Sequence, residues 1–166
     1  MHTAPKIVGP HDGQAGSLGS IGVRFMVGAE ETEAHGFSLV EHPMPPRALA
    51  APLHRHSRED EYSYVLEGRM GALLGDDVVY AEAGALVHKP RNQWHTFWNA
   101  GDEPCGILEI IAPGGFEKYF EEIADAVAAG PPAPELIADL ESRYGIEHDV
   151  ESIPALCERF GLKFGS

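Results

Sequence analysis

Two histidines separated by one residue give this sequence its clearest chemical signal. His54 and His56 flank Arg55, and two acidic residues, Asp60 and Glu61, follow shortly after them. Side chains two positions apart on a β-strand point to the same face, so both imidazoles could meet one metal ion. Strand parity continued from His56 favours Asp60 as their carboxylate partner, whereas a turn or bulge over residues 57–60 would admit Glu61. Parity alone leaves both carboxylates open.

These residues belong to a longer pattern of spacings. The first group is His54, His56, Glu61 and Gly68, and the second is Gly84, Pro90, His95 and Asn99. Together they resemble the paired motifs of the cupin superfamily, in particular the small bacterial single-barrel cupins of quercetin-dioxygenase type. Two positions depart from the motifs, because Ala48 and Asn92 stand where glycine is usual. Neither is a ligand position, and asparagine tolerates a left-handed turn.

The cupin resemblance implies a set of metal ligands. In this sequence the set is His54, His56, Glu61 and His95, so the resemblance selects Glu61 over Asp60. Three imidazoles and one carboxylate suit one divalent transition-metal ion per chain, which could be Fe, Mn, Ni, Co, Cu or Zn. The sequence does not choose among these metals.

Several residues are candidates for the walls and the chemistry of the cavity. Ser63 and Val65 share the strand phase of Glu61, and Phe97 shares that of His95, so all three are predicted to line the pocket. Glu61 and Glu109 are the candidate catalytic groups. If Glu109 faces the cavity, burial would raise its pKa and suit it to carry a proton, while an outward-facing Glu109 is the alternative.

The remaining histidines are not assigned to the metal. His88, near Pro90, could line the pocket, but a structural role is the simpler interpretation. A surface position is predicted for the others, which are His2, His11, His35, His42 and His148.

The elements that must position these residues are mostly β-strands. Short apolar and β-branched segments alternate with turn residues, a pattern typical of an all-β sandwich or barrel. The predicted strands are SIGVRFMVG, GFSLVEHP, EYSYVLEG, RMGALL, DVVYA, GALVHKP, WHTFWN and CGILEIIAP. The resemblance implies a cupin jelly-roll barrel, or double-stranded β-helix, with the ligand cavity between its two sheets.

A helical period replaces the strand pattern after Pro113. Three helices are predicted, the first with apolar residues from Phe116 to Val127, the second over Glu135–Tyr144, and the third from Ser152, as N-cap, to before Gly161. The chain thus divides into a barrel with an N-terminal arm, residues 1–113, and a C-terminal helical extension, residues 114–166. We expect this extension to pack on the outer face of the barrel or at a dimer interface.

Composition limits the partners and the compartment. The chain of 166 residues carries 26 acidic and 12 basic residues, a net charge of −14 that argues against binding to nucleic acid or an anionic membrane. Cys105 and Cys157 form no CxxC motif, and the sequence shows no signal peptide or membrane span. These features predict a cytoplasmic protein with reduced thiols.

Three functions fit these observations. The first is a metal-dependent enzyme, dioxygenase-like, acting on a small organic substrate. The second is a non-catalytic module that binds a small ligand, and the third is a metal-dependent isomerase or lyase that needs no oxygen. A fold does not determine which of these a cupin performs. A homodimer is expected because small cupins frequently form one.

Overall fold

The chain forms two antiparallel sheets that face each other. A computed structural model describes residues 6–165, so the start of the predicted arm and His2 lie outside the described residues. The six-stranded sheet has the spatial order β1 (Ala15–Ser17), β2 (Gly22–Val27), β3 (Ser38–Met44), β10 (Cys105–Ala112), β5 (Asp60–Glu67), β8 (Leu86–Lys89). The five-stranded sheet has the order β11 (Ile146–Asp149), β4 (Leu53–His56), β9 (His95–Asn99), β6 (Arg69–Leu74), β7 (Asp77–Glu82).

The space between the sheets holds an apolar core. Inward side chains of both sheets meet there, among them Met44, Val65, Met70, Phe97 and Ile107. These residues alternate with outward ones along their strands, as the pleat of a half-buried strand requires. The eight predicted strand segments and the jelly-roll fold are confirmed.

Motif residues make the tight turns between strands. Gly68 and Gly84 have φ values of 74° and 91°, in the left-handed region that side chains with a Cβ avoid. Asn92 has a φ of 66°, which confirms that it supports a left-handed turn in place of glycine.

Three short strands, β1, β4 and β11, lie outside the eight predicted segments, although the parity argument for His54 and His56 assumed a strand where β4 forms. β1 and β11 were not anticipated. β1 is exposed along its whole length and contains no β-branched or large apolar residue. β11 has the sequence IEHD and pairs with β4, which places His148 opposite His54. Both strands are added to the edges of sheets, where pairing with a formed strand outweighs a weak local pattern.

Three helices follow the barrel, as predicted. They are α1 (Glu117–Ala129), α2 (Pro134–Tyr144) and α3 (Ser152–Phe160). The prediction that Ser152 is the N-cap is wrong, because Glu151 occupies that position. Ser152 is the first helical residue, and its hydroxyl accepts from the backbone N–H of Leu53 at 3.0 Å and donates to Asp149 O at 2.6 Å. Its side chain therefore links the helix to β4 rather than capping it.

The extension packs against both sheets. Phe116, Tyr119 and Ile123 join a cluster with Val40 and Ile111 of the six-stranded sheet. In a separate cluster, Leu156 of α3 packs with Leu49 and with Trp98 of the five-stranded sheet. None of the helices within residues 6–165 is long and apolar enough to cross a membrane.

Candidate metal site and cavity

Three of the predicted ligands lie on neighbouring strands of one sheet. His54 and His56 are both buried on the same side of β4. His95 begins β9 and lies directly opposite His54 in the pairing of these strands. The two rings are 4.4 Å apart between centroids. Strand pairing therefore joins the two sequence motifs.

Glu61 reaches the site from the other sheet. The chain leaves the five-stranded sheet at His56 and enters the six-stranded sheet at Asp60, so strand parity does not carry across the connection. Glu61 is 3% exposed, whereas the Asp60 carboxylate accepts from Arg91, 2.8 Å from its backbone nitrogen and 2.9 Å from its guanidinium. The change of sheet places Glu61 beside the histidines and Asp60 outside.

The ligand atoms of these four residues converge. One nitrogen or oxygen from each of His54, His56, Glu61 and His95 lies within 4.8 Å of the others. Glu61 Oε2 is 3.4 Å from Nε2 of His56 and 3.2 Å from Nε2 of His95.

Hydrogen bonds orient two of the imidazoles for metal binding. Nδ1–H of His54 donates to Pro52 O at 2.8 Å, and Nδ1–H of His95 donates to Gln93 O at 3.1 Å. Each bond leaves an Nε2 lone pair for an ion. Burial lowers the pKa of both histidines, for His54 well below the usual value, which favours the neutral rings that metal binding requires. This donor set fits one divalent transition-metal ion, which the four residues could hold.

A buried lysine, which the sequence analysis missed, lies beside Glu61. Lys89 is 1% exposed, and its Nζ is 3.4 Å from Glu61 Oε2. It also donates to Glu109 Oε2 at 3.0 Å, and the Ser63 hydroxyl donates to the same oxygen at 2.8 Å. The signal available was strand parity, since Lys89 shares the inward phase of Val87 on β8.

Charge and burial compete within this group. Burial acts to raise the pKa of Glu61, but the charges of His56 and Lys89 hold it well below its usual value. Burial raises the pKa of Glu109 to about 7, although Lys89 opposes the shift. Burial alone would lower the pKa of Lys89, and the two carboxylates raise it instead. Lys89 is thus a cation held between two carboxyl groups.

Three of the four metal-ligand residues, His54, His56 and Glu61, line a cavity of about 370 Å³. Ser20, His42, Glu109 and His148 add further polar groups to its lining. Oε1 of Glu109 is buried and has no hydrogen-bond partner among the described residues. Elsewhere the wall is mainly apolar and includes Phe97, Phe116, Tyr119 and Phe120.

The predicted wall residues occupy different positions. Phe97 lines the cavity. Ser63 is fully buried beside Glu109, and Val65 belongs to the core between the sheets, so neither is part of the cavity lining. Glu109 faces inward, as one of its two predicted orientations required.

Two histidines predicted at the surface line the cavity instead. His42 is 2% exposed and its Nδ1–H donates to Gly22 O at 2.9 Å. Burial lowers the pKa of His42 to about 4. Nδ1–H of His148 donates to Glu141 at 2.8 Å, and its ring lies 5.6 Å from that of His54. His42 shares the inward phase of Val40, which was a usable signal, whereas His148 depends on the unpredicted pairing of β11.

His88 lies away from the metal-ligand group. It is exposed on the outer face of β8, where its ring stacks on Tyr62 at 4.7 Å between centroids.

The position of the C-terminal extension also differs from our expectation. Phe116 contacts the metal-ligand group directly, 4.5 Å from His56 between ring centroids, so the extension contributes to the cavity wall as well as to outer packing.

The two-sheet jelly roll and its buried group of three histidines and a glutamate define a single-barrel protein with a candidate metal site. Residues 40–111 match the family model of the cupin domain. This segment of the chain, which contains all four candidate ligands, is a cupin domain of the small cupin-2 type. No curated protein sequence matches it.

Solved structures support the same fold. The chain is similar to the polyketide cyclase RemF from Streptomyces resistomycificus, at 26% identity and a TM-score of 0.55 over 66% of this chain and 80% of that one. It is also similar to a cupin sugar phosphate isomerase from Silicibacter pomeroyi, at 19% identity and a TM-score of 0.55 over 65% and 75% of the two chains. KdgF from Halomonas sp. aligns at 14% identity and a TM-score of 0.57 over 69% and 99%.

Proposed function

We propose that this chain is a metal-dependent enzyme acting on a small organic molecule. The first candidate reaction is a dioxygenase-like one. The observation that carries the proposal is the convergence of four ligand atoms within 4.8 Å of one another, three of them on residues that line a cavity of about 370 Å³. When bound, a divalent ion there would supply Lewis-acid or oxygen chemistry to substrate oxygens.

The residues around the ligands would orient the substrate and exclude water. Phe116 lies edge-on to His56, and Phe120 lies edge-on to His42 with 5.2 Å between ring centroids. These rings cover the polar end of the cavity from the side of the extension. A substrate oxygen would therefore meet the ligand group while the carbon skeleton contacts the aromatic rings.

Glu109 is the proposed proton acceptor. Lys89 and Ser63 hold its Oε2, so its orientation is fixed, while Oε1 is unpartnered among the described residues and Glu109 is one of the residues that line the cavity. Oε1 would take a proton from a hydroxyl or an acidic C–H of the substrate. The dioxygenase-like reaction and an isomerisation would both need such a step.

A metal-dependent isomerase or lyase is the second candidate, and Glu109 is the observation that favours it. A pKa of about 7 suits a group that takes and returns a proton during isomerisation, without oxygen. A sugar phosphate isomerase and a polyketide cyclase are among the structures that share this fold, but the fold alone carries neither activity to this chain.

Oxygen uptake separates these candidates. The protein, reconstituted in turn with Fe, Mn, Ni, Co, Cu and Zn, is mixed with flavonols, catechols and β-diketones in an oxygen electrode. The proposal predicts metal-dependent oxygen consumption, whereas metal-dependent conversion under nitrogen would favour the isomerase or lyase. Tight binding without conversion under either condition would refute the enzyme and favour a ligand-binding module. Glu109→Gln is the matched variant and should lose turnover while its metal content is unchanged.

We also propose a homodimer in the cytoplasm. Both cysteines are free thiols, which agrees with a reducing compartment. Exposed apolar side chains such as Leu66 and Leu86 offer a second copy of the chain a surface to cover.

Apart from a second copy of the chain, the proposed binding partner is a small molecule. The net charge of −14 disfavours binding to nucleic acid and to anionic membranes.

A further inference from the structure

We infer that the cavity selects an uncharged, largely apolar molecule with oxygen atoms at one end, and that the C-terminal extension determines this selectivity. The inference deepens the proposed function and rests on it for the role of the polar end. Its basis is the distribution of polar and apolar groups along the cavity and the segment that supplies them.

The cavity wall offers no cation to an acidic substrate. No lysine or arginine lines it within residues 6–165, and its charged lining residues other than histidine are Glu61 and Glu109. Lys89 lies behind the wall, and its ammonium group already contacts both carboxylates. A phosphate or carboxylate placed away from the ligand group could meet Ser20, His42 or His148 but no lysine or arginine, so its charge would be buried without a counter-charge, which is strongly unfavourable. The part of the molecule far from the ligand group must be uncharged.

The apolar wall also has aromatic character. Phe116 stacks on Tyr119 with 4.8 Å between ring centroids, and Phe120 meets Phe116 edge-on at 5.1 Å. Ile123 and Ile137 continue the same wall. Flat carbon rings or branched hydrocarbon surfaces fit such a wall, because aromatic pairs prefer offset and edge-to-face contacts.

The volume limits the size of the occupant. At the packing density of protein interiors, about 370 Å³ accommodates roughly 15–20 non-hydrogen atoms. This corresponds to two or three fused or linked rings. Polar atoms at only one end of such a molecule can reach the metal ligands and Glu109.

Half of the lining residues lie after Pro113, in the extension. This segment is outside residues 40–111, the part of the chain that matches the cupin family model. The ligand group belongs to the family barrel, whereas much of the apolar wall comes from α1, α2, β11 and the residues after them. The extension is therefore the specificity-determining segment.

Calorimetric binding of matched probes tests the inference. The probes are an acetylnaphthol with adjacent hydroxyl and ketone groups, the acetylnaphthalene without the hydroxyl, and glucose phosphate, each titrated into metal-free and metal-loaded protein. The acetylnaphthol should bind at least tenfold more tightly than glucose phosphate. In metal-free protein, acetylnaphthalene should also bind at least tenfold more tightly than glucose phosphate. This comparison tests the selectivity of the cavity even if the protein binds no metal. Equal or tighter binding of glucose phosphate would overturn the inference, even if the metal site is real.

Two aspartate substitutions on α2 locate the selectivity. Ile137 lines the cavity, whereas the adjacent Ala138 is exposed and outside its lining. Ile137→Asp should weaken acetylnaphthol binding at least tenfold, and Ala138→Asp should not. Ile137→Ala serves as a milder second variant and should weaken binding in the same direction if Ile137→Asp fails to fold. Equal effects of Ile137→Asp and Ala138→Asp, or no effect of Ile137→Ala, would place the selectivity elsewhere.

Discussion

Lys89 connects the two acidic residues that matter most to the proposed chemistry. Its ammonium group lies 3.0 Å from Glu109 and 3.4 Å from Glu61, and all three side chains are almost completely buried. Removing one partner from a buried group of charges is costly because the remaining charges stay desolvated. Lys89 should therefore act on stability as well as on the orientation of Glu109.

Lys89→Met tests this connection. In metal-free protein, the substitution should lower the free energy of unfolding by about 3–5 kcal/mol, because two buried carboxyl groups lose their counter-charge. Urea denaturation measures the change. Lys118→Met, at a lysine whose side chain is 44% exposed on α1, is the control and should change stability by less than about 1 kcal/mol. If Lys89→Met lowered the free energy of unfolding by no more than Lys118→Met does, the buried ion pairs would not be formed.

The sequence predicted the ligand group better than its surroundings. Spacing and resemblance together selected Glu61, although parity along one strand did not, because the chain changes sheet between His56 and Asp60. Lys89 shares the inward phase of Val87 and could have been found by parity. Ser63 and Val65 were assigned to the inward face, but the sequence does not distinguish a cavity wall from a packed core.

At the scale of elements, the extension is held in place by polar contacts between helices. Arg143 of α2 donates to Glu122 of α1 through two nitrogens, at 2.8 and 2.6 Å. The Tyr144 hydroxyl donates to the same carboxylate. These bonds lower the pKa of Glu122 to about 2. They join the two helices that supply much of the apolar cavity wall.

Glu122→Gln should show a pH-dependent loss of stability. A carboxyl group whose pKa is lowered on folding stabilises the protein above its ordinary pKa of 4.5, and that contribution disappears as the pH falls through about 2. The stability difference between wild type and variant should thus be full at neutral pH, shrink below about pH 4.5 and vanish near pH 2. We expect less than about 1 kcal/mol, because both side chains are substantially exposed.

Thermal denaturation of the two proteins over this pH range measures the difference. Glu158→Gln is the control, since Glu158 is exposed on α3 without an ion-pair partner among the described residues. Its stability difference from wild type should stay small throughout. A Glu122→Gln difference that persists undiminished at pH 2 would contradict the proposed contribution of the charge.

The elements themselves were predicted where their pattern is strong. Helical spacing from Phe116 onward and the alternating strands gave the right types, while β1 and β11 carry no such pattern and form only by pairing at sheet edges. The pairing of β11 with β4 brings His148 to the cavity. Long-range pairing of this kind is not encoded in local spacing, which explains why His148 was assigned to the surface.

At the scale of the whole molecule, the outer face of the six-stranded sheet suits a second copy of the chain. Tyr64, Leu66 and Leu86 are 40%, 45% and 56% exposed on this face. Two carboxylates of this sheet are neutralised by ion pairs, Glu41 by Arg24 and Asp60 by Arg91. In a chain with a net charge of −14, these pairs reduce the repulsion between two copies that meet there. We therefore place the proposed homodimer interface on this face.

Leu86→Glu should disrupt the dimer. Sedimentation equilibrium of the wild type should give twice the chain mass of 17.9 kDa, and the variant should give the mass of a single chain. Ile7→Glu adds the same charge at a residue that is 87% exposed outside the sheets, and it should remain dimeric. A monomeric wild type at about 100 μM, well above the Kd of a stable dimer, would refute the homodimer.

Metal stoichiometry tests the central claim most directly. Metal-free protein is titrated calorimetrically with each of the six candidate ions, and bound metal is counted by elemental analysis. We predict one ion per chain for the wild type, an affinity at least about 100-fold weaker for His56→Ala, and no change for His88→Ala, whose ring lies on the outer face. Wild-type protein that binds none of the six ions, or equal losses in the two variants, would contradict the assignment of His54, His56, Glu61 and His95 as the metal site.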